Sequence, residues 1–386
     1  MHFCYYKAMK ISILQAKIES KLKNQRILFF NRIFRRVISH FNLLEQLETF
    51  SEVIETKHKL VFSYDFHLNQ KLIHISNSAQ KNNIDNMERS VNLEFSKSIH
   101  EEEISIVVQG PIVHKNNFTY NSIISYLNYF PNANIILSTW KQEDTITFQD
   151  IINDNNIKNL FILKNEMPKY SGTKNINLQI TSSYNGIVFA EKLGAKYVLK
   201  TRTDQRFNNP LTLQMLSSLY QQYGEKNTAN RILVPSIDSF IFRLYGISDM
   251  FHFGKVADLL IFWSAKHDNR VQSTLDKLPK ITMRKEAEQN ICEVYLVTEY
   301  MKKLQMNPSF EFVDSLRIVR DLFCIVDSNS FSLIWYKYGH SDNKWKNQYF
   351  PHKFHQLSHS EWIFLQQSLD FYLQFEHLLD NMEFNL

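Results

Sequence analysis

Lys196-Tyr197-Val198-Leu199-Lys200-Thr201-Arg202-Thr203-Asp204-Gln205-Arg206 is the stretch that decides the fold of this chain. Tyr197-Val198-Leu199 is short, apolar and β-favouring, as a buried strand is. The run then turns polar. Lys200, Arg202 and Asp204 share parity, so an extended chain sets all three on one side. Charge aimed into a sheet needs a partner or a ligand, because unpaired buried charge is costly. The pattern fits a ligand-binding edge, since open α/β sheets bind ligands beyond the C-terminal ends of their strands. It fits equally a polar strand end closed by an internal ion pair.

Working outward, regular elements flank the stretch on both sides. Ile104-Ser105-Ile106-Val107-Val108, Asn134 to Ser138 and Leu160 to Leu163 read as strands, and Arg231 to Pro235 as a further one. Helical spacing covers Thr119 to Phe130, about 144–153, Asn175 to Lys192, and Asn209 to about Tyr223, with Pro210 in the first turn. Alternating strands and helices of this length predict a mostly parallel sheet covered by helices, with right-handed crossovers. Phe240 to Gly254 reads as a strand pair plus a loop. Helices are expected over about Lys255 to Lys266 and Arg284 to Met301. Ser358-His359-Ser360-Glu361 carries a capping-box signature before a last helix.

Gly and Pro are absent from residues 1–109, and all eight of each lie from Gly110 onward. Dense turn punctuation thus begins where the βα pattern begins. This predicts a helical, basic N-terminal extension over 1–100, a nucleotide-binding domain over 101–310, and a C-terminal segment over 311–386 that ends in an acidic amphipathic helix. Residues 1–40 hold nine Lys and Arg against Glu19 alone, and beyond Lys353 there are five acids and no Lys or Arg. A basic amphipathic helix over 5–45 suits the anionic face of a membrane, or packing on the protein's own acidic tail. Cys4, Cys292 and Cys324 lack disulfide or zinc spacing, which points to a reducing compartment. No apolar run is long enough to span a bilayer, and charges interrupt any signal-like stretch. The expected location is cytoplasmic, soluble or peripheral on the membrane face.

Three loops are expected to converge at one edge of the sheet: Gln109-Gly110-Pro111, Ser138-Thr139-Trp140 and Arg202 to Arg206. Gly110 permits close backbone approach to a ligand. Trp140 is placed to stack on a base. Asn175 at a helix start offers backbone N–H groups for phosphate, with Lys174 beside it. Together these suit a nucleotide diphosphate. Asp204 is the one acid in the charged strand end. It either holds a divalent ion, Mg²⁺ or Mn²⁺, on that diphosphate or pairs with Arg202 or Arg206. There is no G-x-G-x-x-G after the first strand, no Walker A motif and no G-x-S-x-G elbow. Basic residues form no aromatic-interleaved stripe, so nucleic-acid binding is a poor fit.

Ile106 to Ile112, Ile136 to Trp140, Asn175 to Ile180, Tyr197 to Arg206 and Phe242 to Gly254 together resemble, in order, the WavE family of lipopolysaccharide synthesis, over about 104–300. The resemblance implies a glycosyltransferase-A-like, Rossmann-like sheet and transfer of a sugar from a nucleotide donor to a lipopolysaccharide or other surface-glycan acceptor, saccharide or lipid-linked. It implies that Gln109, Ser138 and Trp140 face the nucleoside and that Asn175, Asn177 and Gln179 line the donor side. Asn175 and Gln179, four apart, share a helical face that Asn177 does not. Transferases of this type carry Asp-x-Asp after the fourth strand; here Arg202-Thr203-Asp204 retains the final Asp alone. Lys200, Arg202 and Arg206 are then available to neutralise the diphosphate without a metal. For the base that an inverting transfer needs, the resemblance implies Glu288, with Asp249 as an acceptor or donor-sugar ligand. His252, between Phe251 and Phe253, either touches a sugar or is structural, and His340, His352, His355 and His359 include a conceivable metal ligand. Two other classes remain: a non-catalytic sugar- or nucleotide-binding subunit of a glycan-assembly complex, and a saccharide phosphoryltransferase.

Overall fold

In the computed structural model the described residues are 99–154, 157–225, 230–270, 281–290, 292–336, 356–381 and 383–384. The expected helix over 5–45 lies outside them. The chain divides into two units, Met1–Val91 and Asn92–Leu386, and all described residues belong to the second.

Strand β1 (Ile104–Gln109) is buried along its whole length. Its β-branched run is what a central strand covered on both faces requires. β2 (Asn134–Trp140) and β4 (Tyr197–Arg202) pair with it in parallel on either side, and β3 (Leu160–Asn165) extends the sheet beyond β2. β7 (His252–Lys255) pairs antiparallel with β4 and with β6 (Ile232–Pro235), and β9 (Phe323–Val326) closes the far edge parallel to β6. The order is β3-β2-β1-β4-β7-β6-β9. The sheet is therefore mixed and mostly parallel, as the repeating pattern predicts. Residues beyond 310 supply its last strand.

The crossovers are α1 (Phe118–Tyr129), α2 (Ile146–Asp154) and α3 (Ile176–Lys192). β1 to β3 step outward, whereas the β3 to β4 connection returns past β1. With right-handed crossovers α3 therefore covers the face opposite α1 and α2. α3 packs on β1 and β2, and α5 (Val256–Trp263) packs beside it. Gly186 makes that close seat possible. A Cβ there would overlap Val107 Cγ1 and stand 3.2 Å from Ser138 Cβ.

Other elements depart from the periodicity. After β5 (Gln205–Phe207), α4 (Thr212–Leu219) starts later than Asn209 and ends in a π-helical turn over Tyr220–Gly224. The segment 240–251 forms no strand pair; only β7 is regular. The single helix expected from Arg284 to Met301 is two, α6 (Met283–Glu288) and α7 (Glu293–Lys303). Asn290 and Cys292 stand at φ 50° and 47° between them, a backbone no helix accommodates. α6 follows the short β8 (Ile281–Thr282). α8 (Phe312–Leu322) and β10 (Leu333–Trp335) were not foreseen from the sequence, and β10 pairs antiparallel with β5. The Ser358 capping box forms as expected at the start of α9 (His359–Gln367), its Oγ accepting from the Glu361 amide at 3.2 Å.

Candidate active site

The strand order reverses between β1 and β4, and there Gln109 sits opposite Arg202, the last residue of each strand. This is the switch point at which open α/β sheets leave a crevice. Gly110 leaves β1 at φ 122°, and a Cβ on it would lie 2.9 Å from Thr203 Oγ1. The Gly110 and Thr203 segments thus close on each other, with Thr203 Oγ1 donating to the Pro111 carbonyl at 2.6 Å.

Lys200, expected at the diphosphate, has 0% exposure. Its Nζ donates to the Asp249 carbonyl at 2.6 Å and to Gln179 Oε1 at 3.1 Å, and lies 4.3 Å from the centre of the Trp263 ring. Burial drives its pKa from 10.5 down to about 7; Asp249 works against that shift and Arg202 with it. Gln179 Nε2 in turn donates to the Asp249 carboxylate. Lys200 is therefore a buried brace for Gln179 and Asp249.

A line of polar groups continues from Gln179 under the sheet edge. Gln109 Nε2 donates to Gln179 Oε1 at 3.3 Å, and Ser182 Oγ donates to Gln109 Oε1 at 2.7 Å, sharing its proton with the Leu178 carbonyl. Ser138 Oγ donates to the Ser182 carbonyl at 2.7 Å and accepts from Asn165 Nδ2 at 2.9 Å. Asn185 Nδ2 donates to Asn165 Oδ1 at 3.0 Å. Gln109, Gln179, Asp249, Lys200 and Ser138 are thus brought together, but Ser138 is completely buried and faces α3. Trp140, expected to stack on a base, is 2% exposed at the end of a strand that runs two residues longer than expected. Its ring belongs to the core.

Arg202 and Asp204 form the internal ion pair that was one of the two sequence alternatives. Arg202 Nε and Nη2 donate to Asp204 Oδ1 and Oδ2 at 2.9 and 3.0 Å. Trp335 Nε1 donates to Asp204 Oδ2 at 3.1 Å. Burial opposes the Arg202 charge, and Asp204 more than restores it. Arg206 leaves on β5 and lies 5.4 Å from the centre of the Phe118 ring. Among the described residues, no group of three or more His, Cys, Asp or Glu is arranged for a metal ion. Asp204 is a poor fit for a divalent cation, since both oxygens accept from Arg202 and a guanidinium stands where a cation would bind.

Lys174 and Asn175 are exposed at the head of α3, both at positive φ (53° and 65°). Asn177 is buried and structural: its Nδ2 donates to the Asp268 carbonyl at 2.8 Å, and its Oδ1 accepts from the Asp268 amide at 2.6 Å. His252 is enclosed between Phe262 and Trp263, with Nε2 2.9 Å from the Ser248 carbonyl. Burial and Lys200 lower its pKa to about 3, so it is a neutral core residue. Of the four later histidines, His359 is described, with Nδ1 2.6 Å from the Ile325 carbonyl. The other three lie outside the described residues.

Glu288 is exposed on α6, and none of the described contacts joins it to the Lys200 group. The carboxylates gathered near Asp249 are others. Arg243 bonds Glu286 through Nε and Nη2 at 3.2 and 2.9 Å and reaches Glu293 with Nη1 at 3.1 Å. Little in the sequence points to this trio, because Glu293 falls inside what reads as one helix and Arg243 inside an aromatic run. The helix break is the signal, and only φ values reveal it.

A family model described as WavE lipopolysaccharide synthesis matches residues 104–315, more than half of the chain. No curated protein matches. Among solved structures, a nucleoside-diphosphate-sugar pyrophosphorylase from Vibrio cholerae RC9 is similar at 13% identity and a TM-score of 0.32, over 60% of this chain and 94% of that one. S. aureus TarS 1-349 in complex with UDP is similar at 12% identity and a TM-score of 0.29, over 56% of this chain and 70% of that one.

Proposed function

The chain belongs to the WavE lipopolysaccharide synthesis family, and from that premise we propose that it transfers a sugar from a nucleotide-sugar donor to a lipopolysaccharide or other surface-glycan acceptor. The observation that carries this reading is the pairing of Gln109 with Arg202 at the switch point, braced below by Lys200, Gln179 and Asp249. A nucleoside diphosphate is the leaving group of such a transfer, and fixed cations where its charge develops stabilise the transition state. Arg202, Arg206 and Lys174 are assigned that task. The Gly110 backbone and Asn175 are assigned to the nucleotide, and the Asp249 carboxylate, oriented by Gln179, to a sugar hydroxyl. No step is assigned to a divalent ion, because Asp204 is engaged by Arg202 and Trp335.

Among the described residues no helix is long and apolar enough to cross a membrane. We assign membrane contact, if the acceptor is lipid-linked, to the basic residues 1–40, on a cytoplasmic face.

A thermal-shift screen of nucleotide sugars, with Mn²⁺ and with EDTA, tests the reading. A shift by one nucleotide class that EDTA leaves intact is expected, followed by transfer to a lipopolysaccharide-core oligosaccharide. Binding without any turnover would instead favour a non-catalytic subunit, and phosphate on the product a phosphoryltransferase.

A further inference from the structure

We propose that the general base of the transfer is Glu293, positioned by Arg243. This rests on the transferase reading above and names a residue for it. Of the two carboxylates on Arg243, the Glu286 side chain is 1% exposed and has both oxygens bonded to the guanidinium. The Glu293 side chain is 18% exposed; Arg243 reaches it through Oε2 alone, and its own backbone amide adds a hydrogen bond. It is therefore the less enclosed of the two carboxylates, and the one with an edge that a substrate can approach. Asp249 is already engaged by Gln179, and Glu288 stands apart in solvent.

The backbone around Glu293 is built to fix it. Glu293 opens α7 directly after Cys292, a non-glycine residue at φ 47° and ψ −107°. Such sparsely populated conformations persist where the surroundings over-determine them, and they cluster at functional sites. Arg270 supplies the restraint by donating to the carbonyls of Gln289 and Asn290. The same guanidinium grips Asp268, whose Oδ2 accepts from the Thr173 amide at 3.3 Å. The head of α3, with Lys174, is thereby tied to the residues that aim Glu293.

The charged groups facing Glu293 are Arg243, Asp249 and Glu286; Cys292 adjoins it, and Lys174 acts on Cys292. Burial pushes the Glu293 carboxyl up, Arg243 and the residue's own backbone amide pull it down, and Asp249 and Glu286 push it up; the net direction is up. A carboxylate raised in this way, with an exposed edge, is a stronger base than a free one and suits proton abstraction. In the step, the acceptor oxygen bonds to the anomeric carbon and its proton passes to Glu293. The bond from that carbon to the phosphate oxygen breaks, and its electron pair leaves on the nucleoside diphosphate. A single displacement of this kind inverts the anomeric configuration.

The test compares wild type with Glu293→Gln, Glu293→Asp and Arg243→Lys in the full chain. The assay uses radiolabelled UDP-, GDP-, ADP- and dTDP-sugars and a panel of lipopolysaccharide-core oligosaccharides, with water as acceptor where none is accepted. Glu293→Gln is expected to lower kcat on the order of 10²–10⁴-fold with the thermal shift by donor retained, which separates lost chemistry from lost fold. Glu293→Asp keeps the charge and is expected to recover part of the rate. Arg243→Lys is expected to move the acidic limb of the kcat/KM profile, which a merely structural arginine would not do. Inverted product is expected throughout. Full kcat in Glu293→Gln with an active wild type, or loss in Glu288→Gln instead, overturns the assignment of Glu293 alone. A wild type that binds donor but transfers to nothing overturns the transferase reading and this assignment with it.

Discussion

Lys200 Nζ meets the backbone carbonyl of Asp249 at 2.6 Å, so a strand-end lysine is held on a main-chain oxygen one element away. Burial brings its pKa from 10.5 to about 7. Between those values the unfolded chain binds a proton that the folded chain has released, so stability rises with pH across that window. Below about pH 7 both states hold the proton and the contribution is flat. Thermal unfolding followed from about pH 6 to about pH 9 should show the rise, and Lys200→Met should flatten it. An identical slope in that variant would exclude Lys200 as its source.

Gln109 gives one hydrogen bond and takes another while 4% exposed. Gln109→Glu puts a carboxylate oxygen against Gln179 Oε1 and buries a charge, whereas Gln109→Met removes both bonds without adding one. Methionine is expected to cost about 1–3 kcal/mol, and glutamate more. Urea denaturation at neutral pH ranks them; the reverse order would mean that the line is not closed at Gln109.

Asp204→Ala removes the acceptor that Arg202 and Trp335 share. Charged hydrogen bonds of this kind contribute roughly 1.5–3 kcal/mol. Donor affinity is expected to fall about tenfold or more and transfer to be lost, while the fold persists. In wild type, EDTA should leave donor affinity unchanged. Calorimetry measures both, and a metal-dependent wild type would return Asp204 to the role of a metal ligand.

Gly186→Ala forces a methyl against Val107 and lifts α3 from the sheet. Overpacking of this kind costs about 1–3 kcal/mol. Because α3 carries Gln179 and Ser182, donor affinity is expected to fall together with Tm.

The sheet from β1 to β4 was legible because its strands are short apolar runs and its helices keep a 3.6 period. The charged end of β4 was legible as a site because Lys200 and Arg202 follow Leu199 without a break. Period alone did not give the rest. Local pattern puts Trp140 in a loop, yet β2 pairs through to Asn165 and buries the ring. Arg284 to Met301 is helical in composition, with neither Gly nor Pro, so the turn at Asn290 and Cys292 leaves no mark. Glu293 was hidden for the same reason. β9 and β10 pair with strands far earlier in the chain, Cys324 with Leu233 at 91 positions and Ile334 with Arg206 at 128, and no local window sees that.

The hydrogen bonds running from Asn185 to Asp249 all point the same way, each donor on the Asn185 side and each acceptor on the Asp249 side. The line crosses the main chain once, at the Ser182 carbonyl, so Asn165, Ser138, Gln109 and Gln179 are the side chains that must both give and receive, which amide, hydroxyl and imidazole groups do at neutral pH. A carboxylate can sit only where the line stops, as Asp249 does. An ammonium can only feed it from the side, as Lys200 does. Gln, Asn, Ser and Thr can therefore exchange at those four positions, whereas a carboxylate placed at one of them would end the line there.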